Sequence, residues 1–207
     1  IWPIAGCIIL FGLITAVTGN FNLSVITSAA KLCTFALLLG LGQMVVVTSG
    51  DGAIDLSQKY ILTLTAYVSC TVMAKNILLG LVAAILIGAI CGGLSSCVNV
   101  FLRVPAMITT LATGYLFYTV ILVVSSKWSS IPAKGFVNFV NRNVCGVNMM
   151  TITCVIVAIV LWILLYRTKY GKNLHAVGQK REAARLVGIS VKRTVIIAFV
   201  IDGALCG

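Results

Sequence analysis

The chain has 207 residues, of which 60% are hydrophobic and 9% charged. Soluble domains carry about 25% charged residues, so this composition excludes an ordinary water-soluble fold and requires an integral membrane protein. The formal net charge of +11 sits at the ends of apolar runs, where it orients a membrane chain. It therefore does not call for nucleic acid as a partner.

Apolar runs predict six full membrane spans and a seventh that is cut: Trp2–Val17, Ala29–Ser49, Tyr60–Ala74, Ile77–Val98, Val104–Val124, Met149–Tyr166 and Thr194–Gly207. Most approach the ~20 residues that a helix needs to cross the hydrocarbon. Tyr60–Ala74 is short and is expected to borrow from its polar approach. The fold class is all-α, a polytopic transmembrane bundle forming a single domain over 1–207. The chain begins at Ile1 rather than Met and stops at Gly207 inside an apolar run. That predicts a fragment, truncated at the C-terminus and also at the N-terminus. Trp2–Val17 lacks the basic flank of a signal peptide.

The first acidic turn, Ser49–Lys59, reads SGDGAIDLSQK. An acid at membrane depth needs a partner or a wet cavity. Asp55 can accept N–H groups at the start of the next helix, with Lys59 four residues on as its ion-pair partner. The other reading places Asp51, Asp55 and Ser57 along a translocation path. Further on, Gly88–Gly92 offers small residues for close helix approach. In Arg103–Thr113, RVPAMITTLAT, the cation and proline mark a span start. There Thr109, Thr110 and Thr113 either face a polar conduit or bond their own backbone. Ser125–Asn148 is a polar loop whose Trp128 and Phe136 suit a membrane interface.

The most informative stretch is the basic loop Arg167–Arg193. It holds eight of the fifteen Lys and Arg and one of the four acids. If it lies inside, alternation puts Lys59 and Arg103 inside and Lys31, Lys75, Lys127, Lys134 and Arg142 outside. The ratio is then ten to five, as the positive-inside rule requires. Within it, Gln179–Val187 can form two helical turns, capped by Gly188, with Glu182 near the start and Arg185 near the end. Ala183 and Ala184 leave a small face that a cytoplasmic partner could approach. His175 reads as a polar loop residue.

No phosphate-binding glycine loop, metal-ligand cluster or catalytic constellation occurs, so the chain reads as no enzyme and needs no cofactor. The eight cysteines are scattered and read as small apolar residues.

Three segments carry a family resemblance: IDLS at Ile54–Ser57, RVPAMITTLAT at Arg103–Thr113, and YRTKYGKNLHAVGQKREAARLVGISVKR at Tyr166–Arg193. Together they resemble the permease subunit of bacterial ABC importers for simple sugars, the ribose/xylose/galactoside type. Lys180, and Gln58–Lys59 after IDLS, depart from the family pattern. The resemblance implies about ten helices per subunit, each near the ~20 residues that cross a bilayer, of which this fragment holds the first six and part of the seventh. It implies a bacterial cytoplasmic (inner) membrane location. It implies a second permease subunit, identical or paralogous, a separate ABC ATPase and an extracytoplasmic solute-binding protein. Gly171, Ala176, Gly178, Glu182, Ala183, Ala184, Arg185, Gly188 and Ile189 would then couple the ATPase to transport of a small solute, a monosaccharide first of all. The competing reading is a secondary transporter driven by an ion gradient through Asp51, Asp55 and Asp202.

Overall fold

A computed structural model describes residues 5, 6, 9, 10, 12, 23–128, 131–144 and 147–207. The span expected at Trp2–Val17 lies largely outside the described residues. From there the chain is helical: α1 Leu23–Thr48, α2 Gln58–Met73, α3 Ile77–Leu102, α4 Ala106–Ser125, α5 Lys134–Asn141, α6 Met149–Arg167, α7 Lys169–Gln179, α8 Arg181–Leu186 and α9 Val191–Cys206. Between α5 and α6 a two-residue hairpin pairs Asn143 with Asn148 and Val144 with Val147. Among the described residues three helices, α3, α4 and α6, are long and apolar enough to cross a membrane. The apolar part of α1, Cys33–Thr48, is shorter, and α2 and α9 have 16 residues each. As expected, α2 begins in its polar approach, at Gln58.

The helix ends follow local chemistry. Asn76 Oδ1 accepts the Leu78 N–H at 2.9 Å and starts α3. Asn148 Oδ1 does the same for Met150 and α6, also at 2.9 Å. Arg103 ends α3 in the left-handed region, φ 57°, and Pro105 follows, fixing φ at the head of α4. The loop expected over Ser125–Asn148 therefore contains a short helix as well as the hairpin.

α9 packs most extensively against α3 and next against α1; α2 lies on α3 and α4, and α6 on α1. The α3–α9 seam is made of backbone. Methyl groups placed on Gly88 or Gly92 would collide with the Gly203 and Phe199 carbonyls, and one on Gly203 with that of Gly88. In lipid no water is released when helices meet, so close van der Waals contact between such small residues supplies the association. This is the role expected of Gly88–Gly92.

Three buried apolar clusters complete the core. The first joins Val46, Ala106, Val177, Ala184, Val195 and Phe199, and so ties the basic loop to the bundle. The second centres on Ile61, Leu64, Phe117 and Ile121, the third on Val45, Leu161, Leu165 and Leu174. Among the described cysteines none is in a disulfide; Cys91, Cys154 and Cys206 are buried, as apolar fillers are, but Cys33 is exposed.

Candidate functional site

The basic loop is folded. Thr168 Oγ1 accepts the Gly171 N–H at 3.2 Å and opens α7, which places Gly171, Leu174 and Val177 inward. At Gly171 a Cβ has no room against the Leu165 carbonyl, and at Gly178 none against that of Thr48. Tyr170 Oη donates to the Thr194 carbonyl at 3.3 Å, and burial pushes its phenol above the ordinary value. His175 lies edge-on to Tyr166, centroids 5.7 Å apart. No metal-binding group of His, Cys, Asp or Glu occurs among the described residues.

The helix expected over Gln179–Val187 is broken. Lys180 is extended, φ −156° and ψ 106°, so the loop is two helices joined by an elbow. The expected cap is present. Gly188 has φ 81°, its N–H donates to the Arg185 carbonyl, and the Ile189 N–H donates to that of Ala184, both at 3.0 Å. These two bonds make a Schellman motif. Glu182 lies in the first turn of α8 and Arg185 in the last, each complementing the helix dipole.

One expectation fails in detail. Ala183 and Ala184 do not form a common small face: Ala184 is buried in the first cluster, and only Ala183 is exposed. The outward surface of α8 instead carries Glu182, Arg185, Leu186 and Val187, with Leu186 90% and Val187 74% exposed. Two bare apolar side chains at the tip of a charged loop escaped the sequence reading, although the run Ala184–Arg185–Leu186–Val187 already holds the signal.

The loop rests on the first acidic turn. Gly50, Asp51 and Gly52 are all left-handed, with φ of 75°, 61° and 63°. A Cβ on Gly50 would come 2.5 Å from the Gly178 carbonyl oxygen, so the two backbones touch. Beside them Arg181 Nη1 pairs with Asp51 Oδ2 at 2.8 Å. The turns at Gly50–Ser57, Arg103–Pro105 and Thr168–Ser190 thus gather at one end of the bundle. Together with the neighbouring ends of α3 and α9 they line an open recess of about 810 Å³.

Deeper in, the turn is polar; Asp55 Oδ2 and Asp202 Oδ2 are buried without a hydrogen-bond partner among the described residues. Asp55 Oδ1 accepts the Ser57 N–H and Oγ–H at 2.7 and 2.6 Å. Thr110 Oγ1 accepts the Leu56 N–H at 3.1 Å and donates to the Ile54 carbonyl at 3.2 Å. Gln43 Oε1 accepts the Asp55 N–H at 3.3 Å. Gln58 Nε2 donates to Asp202 Oδ1 at 2.6 Å and to the Leu39 carbonyl at 3.2 Å. Gly42 leaves the space that the Asp202 carboxylate fills. Asp55 and Asp202 are both buried and within electrostatic reach of each other. Asp51 is outside this network. Lys59 does not pair with Asp55; it is exposed and lies over the Tyr60 ring, 4.7 Å from the centroid. Thr109 donates to the Pro105 carbonyl and Thr113 to that of Thr109, at 3.2 and 3.0 Å.

A bundle of apolar helices with a structured basic elbow docked on one end defines a polytopic membrane protein. A family model described as branched-chain amino acid transport system / permease component matches residues 25–207, and the chain belongs to that family. It is similar to the D-allose transport system permease protein of Escherichia coli K12, with 28% identity over 100% of this chain and 66% of that protein. It is also similar to autoinducer 2 import system permease proteins. That of Salmonella typhimurium LT2 is 25% identical, and that of Photorhabdus luminescens 24%, each over 95% of this chain and 60% of the relative. The chain thus spans about two thirds or less of the length of these relatives. No solved structure matches it.

Proposed function

We propose that the chain forms the greater part of the membrane-spanning subunit of an ATP-driven importer in a bacterial cytoplasmic membrane. It would contribute six spans and part of a seventh to a longer bundle. Its solute is a small molecule, a monosaccharide first of all; the relatives named for D-allose and autoinducer 2 support a small polar cargo.

The observation that carries this reading is the elbow α7–α8. It is held to the first acidic turn by the Gly50–Gly178 contact and the Asp51–Arg181 pair, and it presents Glu182, Ala183, Arg185, Leu186 and Val187 outward. In this proposal α8 is the coupling helix, seated in a groove of a separate ATPase. Gly171, Ala176, Gly178, Ala184, Gly188 and Ile189 hold it in shape from behind, and Leu186 and Val187 give it an apolar tip. Closure of the ATPase pair moves the elbow as a body. The elbow moves the Gly50–Ser57 turn, and the interface with a second permease subunit changes state. This is alternating access by rigid-body movement, biased by nucleotide. An external binding protein delivers the solute to the opposite face.

Asp55, Ser57 and Thr110 serve here as a polar knot that shapes the turn, with Asp51 as its external clasp, while Thr109 bonds the backbone of its own helix. An ion-gradient mechanism would need Asp51 beside Asp55 and Asp202, and Asp51 instead pairs with Arg181. The complete permease, reconstituted in liposomes with its ATPase and binding protein, provides the test. Uptake should require ATP and persist when a protonophore collapses the proton gradient. Uptake without nucleotide that follows the gradient would overturn the proposal.

A further inference from the structure

Two cations of the recess at the loop end, Arg103 and Lys192, take no part in the coupling role. The lining of the recess includes Arg103, Arg181, Arg185 and Lys192 against Asp51 and Glu182, a surplus of two positive charges. Arg181 is the one of these cations that forms an ion pair among the described residues, with Asp51. Arg103 and Lys192 stand at the ends of the membrane helices α3 and α9, and both are exposed. Lys192 Nζ lies 5.5 Å from the centre of the Phe101 ring. The neighbouring surface is apolar: Phe101 is 68%, Leu102 67% and Ile108 60% exposed. Apolar Val104, Ala106, Val191 and Val195 form part of the lining. A cationic recess that opens beside bare apolar helix ends matches an amphiphile with an anionic head and hydrocarbon tails.

We infer that the recess between α3, α4, α8 and α9 binds the phosphate head of an anionic phospholipid, with Arg103 and Lys192 as its principal ligands and the acyl chains lying along Phe101, Leu102 and Ile108. A lipid suits the site better than a partner's acidic segment, because both cations sit where membrane helices end. The inference does not depend on the importer reading: it requires only that this end of the bundle meets a headgroup layer. Either leaflet of a synthetic bilayer supplies one.

The test uses the complete permease in nanodiscs of phosphatidylcholine doped with phosphatidylglycerol or cardiolipin, with retained lipids counted by native mass spectrometry. The neutral pair Arg103→Gln with Lys192→Gln should bind anionic lipid about thirtyfold more weakly, each cation near an anionic surface counting about fivefold. The charge-keeping pair Arg103→Lys with Lys192→Arg and the control Lys59→Gln should retain it. Equal retention by the neutral pair, or equal loss in the control, overturns the inference. So does displacement by millimolar inorganic phosphate as complete as that by lipid, which would mark a free-anion site. A second measurement needs no variant: a phospholipid with a photoreactive headgroup should label peptides spanning 99–106 and 189–195 of the wild-type protein. Labelling confined to other segments overturns it as well.

Discussion

Arg181, at the first position of α8, reaches Asp51, in the turn that follows α1, with 2.8 Å between Nη1 and Oδ2. The pair spans 130 positions of sequence and joins the basic loop to the acidic turn. Asp51 is 69% exposed, and an exposed pair contributes only about 0.2–1 kcal/mol to stability. Its value is therefore positional. Asp51→Asn and Arg181→Gln should each lower ATP-driven uptake severalfold while moving the thermal midpoint of the complete permease by no more than a few degrees. The exchange Asp51→Arg with Arg181→Asp should recover part of the lost uptake. Full uptake in both single variants would remove the pair from the mechanism.

The tip of α8 gives a second test. Leu186→Ser with Val187→Ser removes two exposed apolar side chains and no core contact. It should weaken capture of the ATPase by about tenfold, as expected for losing a small apolar anchor, and leave insertion and folding unchanged. Glu182→Lys should also weaken capture. By contrast Gly188→Trp would act on the permease itself, because a side chain at φ 81° strains the cap that closes α8. Undiminished pull-down by the Leu186/Val187 variant would argue against docking through this tip.

Gln58 and Asp202 permit a discrimination by isostere. Asp202→Asn keeps an oxygen for Gln58 Nε2 and removes one of two neighbouring buried carboxyl groups, so its thermal midpoint should match or exceed that of the wild type. Asp202→Ala leaves Gln58 Nε2 without this acceptor beside an unfilled space, at a cost of about 1–3 kcal/mol. Thermal unfolding of the two variants side by side decides the matter; a large loss in Asp202→Asn would mean that the charge itself is required.

The seam between α3 and α9 should be the least tolerant surface of the bundle. Gly88→Leu or Gly203→Leu forces the two backbones apart and should cost about 1–3 kcal/mol or prevent folding, as overpacking does elsewhere. Gly40→Ala, in α1 where nothing lies within 4 Å of the new methyl, is the matched control and should be silent. Detergent-resistant yield and thermal midpoint provide the readout.

Much of this was legible from residues near one another in sequence. The basic loop, the cap at Gly188 and the small-residue patch Gly88–Gly92 announced themselves through charge, backbone need and size. α7 did not, because the glycines at 171 and 178 lower helix propensity. The spacing of Gly171, Leu174 and Val177 was nevertheless that of one helical face. Lys180 hid the elbow, since a lysine carries no breaking signal. The partner of Asp55 was misread for a different reason, and that of Asp51 was not foreseen. The local rule offered Lys59 to Asp55, but the chain folds Ser57 onto it, while Arg181 arrives from the far loop. Likewise Gln58 meets Asp202 across 144 positions, a distance over which no periodic pattern operates.

Helices that meet backbone to backbone have no side chains between them to slip or re-rotamerise. α3 and α9 therefore form one stiff strut inside a transporter that must change shape. Spin labels on Leu94 and Ile197, exposed residues on the two helices, should keep one fixed separation through every nucleotide state, and the flexing has to be sought where α1 meets α6 or where α4 leaves Pro105.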